Sequence, residues 1–366
     1  MKILFIGDYS NLHACLAEEL RKKGHSVDVL SDRGGYMNTH ADYYLARQPG
    51  ILGGFKYLYR LFSLLPQLSG YDVVQLINPN FLNLRPGKIK YFFDHIRRQN
   101  GPVFLTLAGN DYYYVKACAD AKIFDFSEFK VGNQLTKFVE TDPEKMYGWI
   151  SDVNRRWNEY LYENIQGAMA VLPEYDMAAR PILGDKVAFT NLPINLSRLP
   201  YSPNKVEDKT RIFIGIRGGM EIQKGAGMLL NIAKELEAEM PDKLTVEKVS
   251  NVSLDEYISR MKKANIVLDQ LYAYSPATNA LQAMALGKVA GSGAQPIYYD
   301  YIDPISSQPI FTLAPTDTEL KDRLRDIVQN HEEIMIRGEW GRKLVEKNND
   351  VKVVVDKFIK HWEKLS

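Results

Sequence analysis

Cysteine is nearly absent: the 366 residues contain only Cys15 and Cys118, too few for a disulfide framework. Histidine is scarce too, with six in all, and no Cys/His cluster has metal-ligand spacing, so metal catalysis lacks support. There is no surplus of either charge. The 46 Lys and Arg stand against 45 Asp and Glu, and both halves of the chain on either side of residue 195 are almost neutral, so no nucleic-acid surface is expected. No apolar run is long enough to span a bilayer, and the opening MKILFIG reads as a short strand, not a signal-peptide core. The expected setting is a reducing cytoplasm.

The most informative segment is NIVLDQLYAYSPATNALQAMALG, residues 265–287. NIVLDQLY has the apolar, β-branched character of a parallel strand covered on both faces. A helix is expected over 276–286, with Ser275 as N-cap, Pro276 at the first position and Gly287 as the left-handed stop. Its polar residues Thr278, Asn279 and Gln282 share one stripe. A helix N-terminus at the carboxyl end of a parallel strand binds anions, so a nucleotide diphosphate could sit there with its ribose along the stripe. The competing reading is a capping Thr278 and two amides bonded to neighbouring backbone.

The first thirty residues read as strand, helix and strand, the opening of a doubly wound sheet. Further strands are expected at 72–77, 102–107 and 168–172, with helical patterns between them. Residues 191–209 contain three prolines and little periodicity, which suits an interdomain linker. A second α/β set begins at RIFIGI, 211–216, and helices are expected near 317–346 and 350–365. The fold class is therefore α/β, with two Rossmann-like doubly wound domains facing across a cleft. Their boundaries are expected at 1–195, 205–346, and 347–366 for a last helix that crosses back to the first domain.

Several groups could carry chemistry at the carboxyl edges. Arg217, Gly218 and Gly219 follow strand 211–216, and Lys224 precedes Gly225; two cations there suit a diphosphate leaving group. Asp269, read as inside strand 266–272, must find a partner. In the first domain Asp8 and His13 flank the first strand-helix turn. Asn78 and Asn80 follow strand 72–77, and Asn110 and Asp111 follow strand 102–107, a polar rim that suits a sugar. Each of these rim residues could equally be a loop or cap residue. Residues 51–65 mix aromatic and aliphatic groups with Lys56 and Arg60. As a helix this segment could lie on an anionic membrane surface as a peripheral contact at the inner face, although core helices with two snorkelling cations are commoner. The long stretch 112–150 could wall an acceptor pocket.

These motifs together resemble the GT-B glycosyltransferases, in particular the retaining family 4 type. KILFIG with LAEELRKKGHSVDVL resembles that family's opening, NLPINL its crossover, IGIRGGMEIQKG its pyrophosphate-gripping element, and LQAMALGKVAGSG its donor-domain helix and following strand. The resemblance implies pyrophosphate contacts and catalytic roles for Arg217 and Lys224. With the polar groups read above, the candidate donor contacts are Gly218, Gly219, Tyr274, Ser275, Thr278, Asn279 and Gln282, and the candidate acceptor contacts are Asp8, His13, Asn78, Asn110 and Asp111. Where the family usually carries two glutamates eight positions apart, this chain has Tyr274 and Gln282.

The implied activity is metal-independent transfer of a hexosyl group, with retention, from a nucleoside diphosphate sugar such as a UDP- or GDP-sugar. The acceptor would be a glycan or a lipid-linked molecule in surface polysaccharide or glycoconjugate synthesis, and no further cofactor is implied. A catalytically weakened nucleotide-sugar or glycan binding protein is the alternative, motivated by Tyr274 and Gln282. An NAD-dependent oxidoreductase, suggested by Asp32 after the second strand, ranks third because GDYSNLH has a single Gly where a dinucleotide turn needs several.

Overall fold

The computed structural model describes residues 1–32, 39–216, 218, 220–303 and 307–366. The chain divides into two compact units, one formed by Met1–Lys116, Tyr147–Pro193 and Val351–Ser366, the other by Ala117–Met146 and Ile194–Asp350.

In the first unit seven strands form a wholly parallel sheet: β1 (Lys2–Ile6), β2 (Ser26–Ser31), β3 (Tyr43–Tyr44), β4 (Val73–Leu76), β5 (Val103–Leu107), β8 (Gly167–Ala170) and β9 (Val187–Phe189). Their spatial order is β3-β2-β1-β4-β5-β8-β9, so the winding reverses between β1 and β4. β1, β4, β5 and β8 are buried along almost their whole length, as strands covered on both faces should be. β6 (Lys130–Val131) and β7 (Gln134–Leu135) form a small antiparallel hairpin in the second unit. That unit's sheet is also parallel, with β10 (Thr210–Gly215), β11 (Leu244–Val249), β12 (Ile266–Leu268), β13 (Val289–Ser292) and β14 (Phe311–Thr312) in the order β11-β10-β12-β13-β14. Its reversal lies between β10 and β12.

Three local expectations are corrected. The 265–272 strand ends at Leu268, so Asp269 stands just past the strand, its N–H donating to the Gly291 carbonyl at 2.8 Å. The following helix is Thr278–Ala285, with Ala277 and not Ser275 at the N-cap. The physical reason is that the carbonyls of the loop before it are bonded elsewhere: the Tyr274 carbonyl accepts from the Gln295 N–H at 2.9 Å and the Ser275 carbonyl from the Gln270 amide at 3.4 Å. The 317–346 region is two helices, Leu320–Gln329 and His331–Asn348, because Asn330 caps the second by accepting from the Glu333 N–H at 3.0 Å.

The last helix, Val351–Leu365, belongs to the first unit, and its Phe358 and Trp362 are fully buried. A chain of buried polar groups fixes it there. Trp362 Nε1 donates to Gln75 Oε1 at 2.9 Å, Gln75 Nε2 donates to Thr106 Oγ1 at 2.9 Å, and Thr106 Oγ1 lies 3.0 Å from His13 Nε2. His13 Nδ1 is 2.8 Å from the Gly7 carbonyl. That carbonyl can only accept, so Nδ1 carries the ring proton, Nε2 accepts from the Thr106 hydroxyl, and every link has one donor and one acceptor. Burial lowers the His13 pKa to about 3, which agrees with a neutral ring. Gly7 in turn has φ +82°, and a Cβ there would come within 2.2 Å of Ile77, so only glycine fits this turn.

Trp362→Phe should leave Gln75 Oε1 buried without its donor. The expected cost is about 1–3 kcal/mol of stability, read by urea unfolding; an unchanged midpoint would show that the chain of bonds contributes nothing.

Candidate functional site

In the second unit the loops after β10 and β12 converge at the point where the strand order reverses, the position where open α/β sheets bind ligands. Arg217 and Gly219 lie outside the described residues. Gly218 is exposed, and a Cβ there would first meet Asn251 Oδ1 at 3.8 Å. Lys224 ends this loop, followed by Gly225 at φ +70°, where a Cβ would approach the Leu271 Cβ to 2.8 Å. Gly225 thus starts helix Ala226–Glu239 hard against the loop after β12, and the Leu271 N–H donates to the Lys224 carbonyl at 2.9 Å.

Lys224 Nζ stands 3.7 Å from Asp269 Oδ1, with Asp269 buried and Lys224 partly open to solvent. Asn279 Nδ2 donates to the same Oδ1 at 3.1 Å, and Tyr257 OH donates to Asn279 Oδ1 at 2.8 Å. Four side chains from four segments therefore form one relay: Tyr257, Asn279, Asp269 and Lys224. The other carboxylate oxygen, Oδ2, is buried with no hydrogen-bond partner among the described residues. Tyr257 had no signal in sequence reasoning, because its reach to Asn279 depends on Gly215, where a Cβ would fall 1.8 Å from the Tyr257 hydroxyl.

Asn279 is accordingly a positioning residue. Thr278 and Gln282 are half-buried and make no side-chain hydrogen bond among the described residues. Ala277 at the N-cap supplies no side-chain acceptor, and helix geometry leaves the first N–H groups without intrahelical partners. Lys224 and these N–H groups offer positive potential, with Thr278 and Gln282 as free polar groups along one stripe.

Tyr274 serves a different purpose. Its hydroxyl accepts from the N–H groups of Asp125 at 2.6 Å and Phe126 at 3.4 Å, and its ring stacks on Phe126 with centroids 4.6 Å apart. Burial raises its pKa, so the phenol stays neutral. Ser275 is fully buried beside it. Gln223 Nε2 donates to Glu128 Oε1 at 2.8 Å, a second tie between the 117–146 segment and these loops.

The first unit has its own cavity, of about 330 Å³, at the reversal between β1 and β4. Asp8, Asp32, Arg47, Tyr57, Asn80 and Asn83 supply its polar groups. Asp8 Oδ1 accepts from the His13 N–H and Oδ2 from the Thr39 hydroxyl, each at 2.9 Å. Burial raises the Asp8 pKa to about 6, although these hydrogen bonds pull it down. Arg47 donates to the Asn83 carbonyl at 3.1 Å. The other rim residues are occupied within the fold. His13 has both ring nitrogens engaged. Asn78 clamps two turns, donating to the Ala108 and Asn110 carbonyls at 2.7 and 3.1 Å while accepting from the Asn80 N–H. Asp111 accepts from the Tyr114 N–H at 2.7 Å and the Tyr162 hydroxyl at 2.8 Å. Sequence reasoning missed Arg47, Tyr57 and Asn83 as cavity residues; Tyr57 lies in the 51–65 segment, which reads in sequence only as a surface or core helix.

No protein-family model matches the chain, and no curated protein sequence matches it. Solved structures do. HepE of Anabaena in complex with UDP-glucose is 13% identical, with a TM-score of 0.63 over 100% of both chains. Sucrose-phosphate synthase from Thermosynechococcus elongatus is 15% identical, with a TM-score of 0.62 over 100% of this chain and 99% of that one. UDP-GlcNAc 2-epimerase from Neisseria meningitidis bound to UDP-GlcNAc is 13% identical, with a TM-score of 0.53 over 100% of both. At such identities the likeness establishes the fold alone: α/β, of the GT-B type.

The raised Asp8 pKa has a stability consequence. The folded state binds this proton more tightly than the unfolded chain, whose carboxyl titrates near 3.8. The stability it contributes is therefore complete below about pH 4 and lost as pH rises through about 6. The Asp8→Asn variant should gain on the native chain by about 3 kcal/mol across that window and run parallel to it above; parallel curves throughout, in urea unfolding at each pH, would mean an ordinary carboxyl.

Proposed function

We propose that the chain is a glycosyltransferase that moves a sugar from a nucleoside diphosphate sugar to a glycan or lipid-linked acceptor in surface polysaccharide or glycoconjugate synthesis. The observation that carries this reading is the cluster at the reversal of the second sheet: Lys224 beside the buried Asp269, which the part-buried Asn279 and Tyr257 hold in turn, next to the open N-terminus of helix Thr278–Ala285. Departure of a nucleoside diphosphate leaves negative charge on the β-phosphate. A fixed ammonium and aligned N–H groups stabilise that charge where it develops and need no metal ion to do so. Arg217 follows β10 in sequence and is assigned to the same pyrophosphate. Gln282 and Thr278 are assigned to the ribose, and retention of configuration follows the family resemblance.

Asp269 orients and does not react. Its Oδ1 accepts from Asn279 and balances Lys224, so the ammonium is held in place before the donor arrives. Acceptor binding is assigned to the first unit's cavity, where the Asp8 carboxylate, Asn80 and Asn83 present hydrogen-bonding groups of the kind that recognise hydroxyls. The neighbours' bound UDP-glucose and UDP-GlcNAc favour UDP over GDP in the donor.

A second reading, a nucleotide-sugar binding protein without turnover, is favoured by Tyr274. Its hydroxyl and ring are used up in packing, and it cannot supply the carboxylate that the resembling family usually has there.

Thermal melting with UDP, GDP, ADP, CMP and NAD tests the donor site, because a ligand that binds only the folded state raises the midpoint. UDP should raise it without added magnesium. Stabilisation by NAD alone would overturn the reading. Lys224→Ala should lower sugar transfer by about 100-fold or more, and unchanged turnover would remove Lys224 from the mechanism. If UDP binds but the chain neither transfers nor hydrolyses the sugar, the binding-protein reading stands instead.

A further inference from the structure

Helix Gly50–Leu64 buries Gly53, Tyr57, Leu61 and Leu64 against the first unit. Its opposite face is apolar too. Ile51, Leu52, Phe55, Tyr59 and Phe62 are between 50% and 81% exposed, and at 3.6 residues per turn they fall on one arc of about 100°. The arc continues onto helix Pro86–Gln99, where Tyr91 is exposed and its ring lies 6.5 Å from that of Phe62. Contiguous exposure of this kind marks an interaction surface.

The charge around the arc has one sign. Between residues 43 and 93 the only acidic residue is Asp72, whose carboxylate accepts from the Lys2 N–H at 2.6 Å. The same stretch contains Arg47, Lys56, Arg60, Arg85, Lys88 and Lys90. Lys90 pairs with Asp94 at 2.7 Å; the other five are exposed and form no ion pair among the described residues. Lys56 and Arg60 flank the arc on the Gly50–Leu64 helix, and Lys88 lies three residues before Tyr91 on the adjacent one.

We propose that this face docks the chain on an anionic lipid surface, with the aromatic and aliphatic arc in the headgroup and acyl boundary and the cations on lipid phosphates. A second copy is a poorer fit, because a self-complementary contact would bring Lys56, Arg60 and Lys88 close to their equivalents. No helix among the described residues is long and apolar enough to cross a membrane, so the contact lies in the interface plane. The buried face of the same helix lines the first unit's cavity through Tyr57, which would bring the head group of a lipid-linked acceptor to that cavity. This last step rests on the acceptor reading; docking does not.

Flotation of the full chain with vesicles, without nucleotide, tests docking independently of donor chemistry. The chain should float with phosphatidylcholine vesicles that contain phosphatidylglycerol, much less with phosphatidylcholine alone, and less again at high salt. Phe55→Ser with Tyr59→Ser should lower the partition coefficient by about tenfold or more while the melting temperature stays put, since both side chains are exposed. Lys56→Glu with Arg60→Glu should abolish the preference for anionic vesicles. Native chain that stays unbound to both vesicle types overturns the proposal, and so does a Phe55/Tyr59 variant that floats equally well. A native dimer that this variant converts to monomer would assign the face to a second copy instead.

Discussion

The first unit depends on the neutral state of one histidine. His13 is wholly buried and sits between a group that can only accept and a hydroxyl that must donate. Protonating it would take away the acceptor of the Thr106 hydroxyl and place a charge in an apolar core. The indole of Trp362, which can only donate, and the Gly7 carbonyl, which can only accept, fix the direction of every bond between them. Because Gly7 forms the turn that edges the 330 Å³ cavity, the geometry of the cavity's loop is tied through four side chains to the last helix. Trp362 and Gln75 are 287 positions apart, so the closing of this unit waits for a long loop with a slowly growing entropy cost. The second unit, apart from its 117–146 segment, is continuous in sequence from 194 to 350 and carries no such delay.

The second unit solves a related problem with charge. A carboxylate just past a buried strand would be costly without partners. Asp269 receives a hydrogen bond from Asn279 and stands beside Lys224, and Tyr257 holds Asn279 from behind. The ammonium remains partly open to solvent while its counter-charge does not. Positive potential therefore faces outward. Under the proposed reading, an anion arriving there would meet a cation already oriented.

Much of this was legible in the residues. Strand KILFI, its helix and Gly24 announce a parallel sheet, and the run from 265 to 287 announces a strand that feeds a helix, because burial on both faces leaves long apolar runs and stops leave glycines. What could not be read was register and reach. The Ser-Pro pair suggested a helix start at 275–276, but the Gln270 and Gln295 bonds hold the loop out of the helix until Ala277. Tyr257 is an ordinary tyrosine on an amphipathic helix until Gly215 lets its hydroxyl through. The cavity residues Arg47, Tyr57 and Asn83 come from three unrelated segments, and only tertiary structure puts them side by side. The Ile51–Phe62 face misled in the other direction: its composition suggested core, since sequence hydrophobicity does not say which of two apolar faces will be covered.

Tyr274 shows why a fold shared at 13–15% identity leaves chemistry to individual side chains. Where the resembling family usually carries a glutamate, here a phenol accepts two backbone N–H groups and stacks on Phe126. Reverting it to glutamate would not simply restore a family site. The carboxylate would lose the stack, and its charge would face the aromatic cluster of Phe124 and Phe126. The 117–146 segment would lose one of its two described side-chain ties to these loops, leaving Gln223 to Glu128. The tyrosine and the segment it anchors therefore form one packing unit, and the proposed chemistry rests on groups outside it, Lys224, Thr278 and Gln282.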